Sequence, residues 1–182
     1  MNCSDAELVS AAQAGNVAAF DELVSRHQER VFALAYHIIG NAEDAADAQQ
    51  EVFVRAWAKL HAFRGQSAFA TWLHRITVNA CISRMRRRRP VCSPERDESP
   101  AREADQRDCQ DRLVDAVVVR QLLASIPANH RVILVLREVE GMSIEEIAQV
   151  TDSSVEAVRK QLWRVRKLFG ERLRQHLTED TE

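Results

Sequence analysis

Two helices separated by a tight turn are predicted for residues 143–174, and this stretch limits the fold more than any other. Residues 143–146 read Ser-Ile-Glu-Glu, a Ser-x-x-Glu capping box that predicts a helix running to about Val150. A turn is expected at residues 151–153, because Asp152 tolerates a left-handed backbone. Residues 153–156 offer a second capping box for a longer helix, and the whole has the spacing of a helix-turn-helix.

The second of these helices divides into two faces at a period of about 3.6 residues. One face is apolar and is expected to pack: Val155, Val158, Leu162, Val165 and Phe169. The opposite face is charged: Glu156, Arg159, Lys160, Trp163, Arg164 and Lys167. Residues 154–174 hold seven basic and two acidic side chains, a balance of +5. A solvated charged face is the alternative, but a Trp inside a basic stripe is better placed against a nucleotide, which indicates a recognition helix for a DNA major groove.

The rest of the chain predicts an all-α protein of two small domains. Five Gly and four Pro in 182 residues are few, and apolar residues recur at helical spacing throughout. Caps and terminating residues predict further helices at residues 4–15, 16–40, 41–62, 67–88, 111–126 and 129–140. The predicted domains are residues 1–89 and 111–178, with residues 90–110 between them.

The predicted junction between the domains combines a basic helix end with an acidic linker. Residues 84–89 contain five Arg and follow a loop and helix that are rich in aromatic side chains. Such a run complements a helix dipole, yet five Arg exceed that need and suit single-stranded DNA. Residues 90–112 carry four basic and seven acidic side chains, a net charge of −3, and almost nothing apolar. This composition predicts a flexible linker with no core shared between the domains, which would be free to sit apart.

Several function classes are disfavoured by what the sequence lacks. It has no H-E-x-x-H, no Gly-rich phosphate loop and no G-x-S-x-G, so an enzyme is not expected, and no catalytic residue or cofactor is predicted. The four Cys show no C-x-x-C spacing, so we expect reduced thiols in a cytoplasmic protein rather than a metal site. No apolar run is long enough to insert stably in a membrane. A net charge of −2 indicates that any DNA binding depends on localised basic charge and on a partner.

The motifs, taken in order, resemble those of the extracytoplasmic-function (ECF) sigma factors, the minimal two-domain class of the sigma-70 family. The resemblance covers both domains and is carried by residues 19–24 (Ala-Phe-Asp-Glu-Leu-Val), 40–47 (Gly-Asn-Ala-Glu-Asp-Ala-Ala-Asp), 50–53 (Gln-Glu-Val-Phe), 63–65 (Phe-Arg-Gly), 71–73 (Thr-Trp-Leu), 76–79 (Ile-Thr-Val-Asn) and 140–148 (Glu-Gly-Met-Ser-Ile-Glu-Glu-Ile-Ala).

The resemblance implies three binding surfaces. The β and β′ subunits of core RNA polymerase would dock on one face of the third helix, at Asp44, Asp47, Gln50, Glu51 and Arg55. The opened −10 promoter strand would be held by Phe63, Arg64, Gly65, Ser67, Asn79, Arg84 and Arg87. The −35 duplex would be read by Ser154, Glu156, Arg159, Lys160, Trp163 and Arg164. An anti-sigma factor is a further partner that the resemblance implies.

One departure from the family pattern falls in the recognition helix. Such helices often read Gly-Thr-Val-(Lys/Arg)-Ser-Arg, where residues 156–161 here read Glu-Ala-Val-Arg-Lys-Gln. The alternative function is a stand-alone helix-turn-helix regulator, which would need a dimerising surface or a ligand pocket. The N-terminal half shows a signature of neither.

Overall fold

The computed structural model describes residues 3–88, 118–119 and 121–179, and every regular element in these residues is helical, as the sequence predicts. The helices with complete bounds are α1 (Asp5–Gln13), α2 (Val17–Ile39), α3 (Ala42–Lys59), α4 (Phe69–Arg88), α5 (Ala128–Glu138), α6 (Ile144–Thr151) and α7 (Val155–Glu179), with a 3-10 turn at Leu60–Ala62. Residues 118–119 and 121–124 are also helical. The predicted linker, residues 90–110, lies outside the described residues.

Most helix boundaries follow the local signals in the sequence. Asn16 caps α2 by accepting a hydrogen bond from the backbone N–H of Ala19, and Gly40 ends that helix in the left-handed region. Ser143 and Glu146 form the predicted capping box of α6. Asp152 takes up the left-handed turn after it, at φ 53°.

Two predicted caps are wrong. The box expected at residues 153–156 does not form, because α7 begins at Val155 and the N-cap is therefore Ser154, whose hydroxyl accepts from the backbone N–H of Ala157 at 3.1 Å. Asn129 does not cap α5 either. That helix already begins at Ala128, after Pro127, and its N-cap makes no side-chain hydrogen bond.

The N-terminal half packs α1 to α4 around a buried cluster. This cluster contains Leu8, Val9, Ala12, Ala19, Phe20, Leu23, Val31, Val52, Ala56, Leu60, Phe69, Leu73, Ile76 and Ala80. Val17 is apolar and begins α2, but it lies outside this cluster and is 57 % exposed. The half-buried rings of Phe63 and Trp72 pack against the rim of the cluster, so the loop after α3 is held to the body of this half.

A second cluster joins the two halves, so the prediction that they share no core is wrong. Its N-terminal members include Leu34 and Ile38 of α2 with Val78 and Cys81 of α4. Its C-terminal members are Leu123, Ile126, Val132, Ile133, Leu134, Val135, Leu136, Met142, Ile147, Ala148, Val150, Val158, Leu162 and Val165. Helix α4 packs on α5 and α6, and α2 packs on α5.

Buried Arg131 adds a polar link across the same junction. Its Nη1 donates to the carbonyl oxygen of Ile38 in α2 at 2.6 Å, while Nη2 donates to the carbonyls of Ala124 and Ile126 at 2.7 and 3.1 Å. One guanidinium therefore ties the end of α2 to the start of α5. The linker composition does not predict this contact, because it carries no information about the faces on either side.

Candidate nucleic-acid interface

Helix α7 turns its charged face outward, as its periodicity predicts. Val158, Leu162 and Val165 are buried on the opposite side, which fixes the rotation of the helix about its axis. The residues predicted to contact the −35 duplex are exposed: Ser154, Glu156, Arg159, Lys160, Trp163 and Arg164. Trp163 is 66 % exposed, an unusual position for a Trp, and Lys167 Nζ lies 5.8 Å from its ring centre. The face thus combines cations with one large aromatic ring.

Neighbouring helices hold α7 in this orientation. Arg166 donates two hydrogen bonds to Glu138 Oε1 of α5, at 2.7 and 3.1 Å. The Thr151 hydroxyl donates to the carbonyl oxygen of Ile147 at 2.8 Å and closes the end of α6 just before the turn. Arg159 lies 4.0 Å from Glu145 of α6, with both side chains 62 % exposed. A pair so exposed contributes little to stability, so Arg159 can leave it at small cost.

Four of the residues predicted for polymerase docking and two of those predicted for −10 DNA form two groups of ion pairs. Arg84 Nε donates to Asp44 Oδ1 at 3.0 Å, and its Nη2 donates to Asp47. Arg87 lies 3.5 Å from Glu51, which also accepts from Arg55. Although burial opposes it, hydrogen bonding to the two aspartates raises the pKa of Arg84 above its ordinary value.

The residues of these groups, and Gln50 beside Glu51, differ in how far they are exposed to solvent. Asp44 is 1 % exposed and acts as a structural anchor for Arg84, whereas Asp47 and Gln50 are open to solvent. Arg87 is the more accessible arginine, since its side chain is 66 % exposed against 25 % for Arg84. Asp47, Gln50 and Arg87 are therefore the predicted site residues of this region that are best placed to contact another molecule.

The loop between the 3-10 turn and α4 presents the remaining −10 candidates. The ring of Phe63 is half-buried against Trp72 and Phe69, at centroid distances of 5.0 and 6.0 Å. Arg64 and Gly65 are exposed, and Gly65 has a φ of 69°, which most side chains would strain. The half-buried Ser67 and the exposed Asn79 complete this set.

Sequence reasoning missed a polar cluster at the junction of the halves. The Glu140 side chain, 5 % exposed, accepts from Arg30 Nε at 2.7 Å and lies 3.5 Å from His74 Nε2. Burial lowers the pKa of His74 below its ordinary value, although the charge of Glu140 opposes the shift. A single His in a helix forms no sequence pattern from which its partner could be predicted. The available signal was the apolar run 132–136, which has no solvated side and so requires covering by another element.

Among the described residues, no group of three or more His, Cys, Asp or Glu side chains could hold a metal ion. Within the same residues, no helix combines the length and the apolar character that crossing a membrane requires.

The fold defines a helical protein of two contacting halves, one of which ends in a helix-turn-helix with an exposed basic and aromatic face. Two family profiles match it, described as Sigma-70 region 2 over residues 23–91 and Sigma-70, region 4 over residues 116–169. The chain is 34 % identical to the RNA polymerase sigma-H factor of Pseudomonas aeruginosa, covering 96 % of each chain. It is 33 % identical to the ECF RNA polymerase sigma-E factor of Escherichia coli (strain K12), covering 93 % of this chain and 94 % of that one.

The chain therefore belongs to the sigma-70 family, in its ECF group. Solved structures agree on the fold. The structure of CnrH in complex with the cytosolic domain of CnrY has a TM-score of 0.72 at 27 % identity, covering 94 % of this chain and 97 % of that one. The sigma factor RpoE of Bartonella quintana, in complex with the anti-sigma factor NepR, has a TM-score of 0.63 at 22 % identity, covering 85 % and 96 %.

Proposed function

We propose that this chain binds the β and β′ subunits of core RNA polymerase and directs initiation at promoters by recognising their −10 and −35 elements. The carrying observation is the outward face of α7, where Arg159, Lys160, Trp163 and Arg164 are all exposed on a helix whose other side is packed. This face matches the size and charge of a major-groove reader. Chain-wide similarity to proteins named RNA polymerase sigma factors supports the same function.

In this proposal the N-terminal half supplies two contacts. The polymerase docks on the polar face of α3, formed by Asp44, Asp47, Gln50, Glu51 and Arg55, with the exposed Asp47 and Gln50 making the first contact. The opened −10 strand is held by Phe63, Arg64, Gly65, Ser67, Asn79, Arg84 and Arg87. Arg84 and Arg87 pair with carboxylates on α3, so phosphate would compete with those pairs, and this competition would couple DNA binding to polymerase docking.

An anti-sigma factor is the proposed regulatory partner, and the cytoplasm is the proposed location. The 27 %-identical structure of CnrH is a complex with the cytosolic domain of a second protein, which supports a protein partner for the present chain. The domain bound in that structure is named cytosolic, which supports the proposed location.

Run-off transcription tests the proposed function. Purified core polymerase is incubated with a genomic promoter library, with and without this protein, and transcripts that need the protein are counted. We expect defined start sites only when both are present. The alternative, a stand-alone helix-turn-helix regulator, predicts tight retardation of duplex DNA by the protein alone and no new start sites. That result would overturn the proposal.

A further inference from the structure

We infer that Gln13, at the end of α1, is a positioning residue for the loop of residues 63–67, and that it sets how this loop discriminates the bases of the opened strand. The inference rests on the proposed function, since it assigns a role within −10 recognition. The profile that defines region 2 matches from residue 23 onward, so α1 lies outside it.

The geometry consists of one amide group and two backbone carbonyls. Gln13 Nε2 donates to the carbonyl oxygens of Leu60 and Phe63, at 2.9 and 2.8 Å. An amide nitrogen carries two hydrogens, so both bonds form at once. Leu60 begins the 3-10 turn, and Phe63 is the residue at which the chain leaves it with an extended backbone. The Gln13 side chain therefore fixes both ends of the 3-10 turn, which directly precedes the loop.

Helix α1 is itself anchored, so it can serve as a fixed support. Leu8, Val9 and Ala12 are buried in the N-terminal cluster. At the other end of the helix, Asp5 lies 2.7 Å from His27 and 3.3 Å from Arg26, both on α2. The backbone of Gln13 therefore cannot shift unless α1 moves relative to the core of this half.

The loop needs such a support because its central residues pack against little. Arg64, Gly65 and Gln66 are exposed, and the ring of Phe63 is held by Trp72 and Phe69. The ring contacts fix the side chain of Phe63, whereas the bonds from Gln13 fix the backbone. Base discrimination is a difference between affinities, and it depends on where the loop places its donors and acceptors. A loop that moves by a fraction of a hydrogen-bond length keeps its charge but loses this placement.

The test replaces Gln13 by Met in the full chain, which keeps the length of the side chain and removes both donors. The matched control is Gln49→Met, because Gln49 Nε2 also donates to a backbone carbonyl, at 2.7 Å, but its acceptor is Gln28 on α2 rather than the loop. Each variant is assembled with core polymerase. The probes are fluorescein-labelled single-stranded 12-mers, first selected from a random pool by the wild-type complex and then varied one base at a time.

The measured quantity is the ratio of affinities between the best and the worst base at the most selective position. We expect Gln13→Met to lower this ratio by roughly tenfold, as the loss of two hydrogen bonds would allow, and Gln49→Met to leave it unchanged. Partial misfolding would reduce the affinity for all probes by one factor and leave the ratio as it is. An unchanged ratio in Gln13→Met therefore overturns the inference.

Arg64→Ala separates this inference from the proposed function. If the wild-type complex discriminates bases and Arg64→Ala reduces the discrimination, the loop reads the strand, and the result for Gln13→Met then decides the inference alone. If Arg64→Ala and Phe63→Ala both keep the wild-type discrimination, the loop does not read the strand. In that case the assignment of −10 recognition to this loop is wrong, and the role of Gln13 falls with it.

Discussion

At the scale of single residues, the exposed side chains of α7 differ in the kind of DNA contact that they can make. Arg159 lies one turn nearer the start of the helix than Arg164, and its exposed pairing with Glu145 is easily given up. The N-terminal residues of a recognition helix usually reach base edges, whereas residues further along usually hold phosphate. We therefore expect Arg159 and Lys160 to read bases, Trp163 to pack on sugar or a thymine methyl, and Arg164 to bind the backbone.

The first prediction concerns these two arginines. Arg159→Ala should relax the preference at one or two −35 positions by about 1–3 kcal/mol, the value of a bidentate base contact. Arg164→Ala should weaken initiation at all promoters alike and reduce the salt dependence by roughly one counterion. Initiation is measured on a panel of single-base −35 variants at two salt concentrations. Arg174→Ala is the control, because Arg174 is an exposed basic residue of the same helix, about three turns beyond Arg164. An equal loss on every variant for Arg159→Ala would contradict the assignment.

A second prediction at this scale concerns the exposed polar residues of α3. Asp47→Lys combined with Gln50→Lys should abolish association with core polymerase while leaving the helical content intact, because a like charge at a desolvated interface costs several kcal/mol. Association is measured by size-exclusion chromatography with core polymerase. Asp21→Lys, at an exposed position on α2, is the control. Full retention of binding by the double variant would place the docking surface elsewhere.

Single residues also mark the limit of what the sequence predicts. The outward face of α7 follows from a period that every residue of the helix repeats, so the exposure of Trp163 could be predicted. Gln13 donates to the carbonyls of Leu60 and Phe63, which are 47 and 50 positions away in the sequence. No local sequence pattern around these residues predicts the two hydrogen bonds. His74 and Arg131 are buried polar residues that each contact a partner in the other half of the chain.

At the scale of elements, helix ends were predicted where one residue type dominates the local chemistry. Gly40 and Asp152 end their helices with a left-handed backbone, which few residue types adopt readily. The start of α7 was predicted one residue early. Ser153 and Ser154 are equally suitable N-cap residues by type. Which of them caps α7 depends on the residue at which the backbone becomes helical after the turn at Asp152.

The capping box of α6 gives the prediction for this scale. Ser143→Ala should lower the free energy of unfolding by about 1 kcal/mol, the usual value of a helix cap. Hydrogen bonds from the backbone and then the side chain of Ser143 lower the pKa of Glu146 below its ordinary value. A carboxylate whose pKa is lowered by folding stabilises the folded state at any pH above its ordinary pKa. This stabilisation is lost as the pH falls through the pKa that Glu146 has in the folded protein. The difference between the variant and the wild type should therefore shrink in acid.

Urea denaturation at pH 7 and at pH 3.5 measures both parts of this prediction. Ser10→Ala is the control, because Ser10 is an exposed residue inside α1 and its replacement should change stability by less than about 0.5 kcal/mol. Equal stability of Ser143→Ala and the wild type at pH 7 would show that the box contributes nothing.

At the scale of the whole molecule, the shared core conflicts with simultaneous reading of two promoter elements. Positions −10 and −35 are about 25 base pairs apart, or about 85 Å of duplex at about 3.4 Å per base pair. A compact chain of this length has a radius of gyration of about 16 Å, which corresponds to a body only about 40 Å across. If the chain binds both elements at once, as proposed, α2 and α4 must first separate from α5 and α6. The polar composition of the linker predicts that the two halves can separate. The closed state, in which the halves share a core, could not be predicted because it depends on contacts between helices that are distant in the sequence.

The junction gives a prediction about this closed state. Arg30→Glu places a carboxylate against the buried Glu140 side chain, so the two halves should separate and the radius of gyration should rise. Small-angle scattering of the full chain measures the change. Arg166→Glu is the matched control, since it breaks a pair of equal N–O distance, 2.7 Å, inside the C-terminal half. Equal radii for both variants and the wild type would show that the Arg30 pair does not hold the halves together.

The last prediction is that acid opens the junction through His74. Burial lowers the pKa of His74, and Arg30 and His27 act in the same direction, while Glu140 and Glu146 oppose them. The closed form therefore binds fewer protons than the open form, in which the pKa returns toward 6.5. Closure is accordingly favoured at higher pH and weakens as the pH falls below that value.

Scattering at pH 7.5 and pH 5.5 should show expansion of the wild type on acidification. His74→Gln cannot titrate over this range, so its radius should not change with pH. His27→Gln should expand as the wild type does, because His27 pairs with Asp5 inside the N-terminal half and does not bridge the junction. A His74→Gln protein that expands as much as the wild type would assign the acid response to other groups.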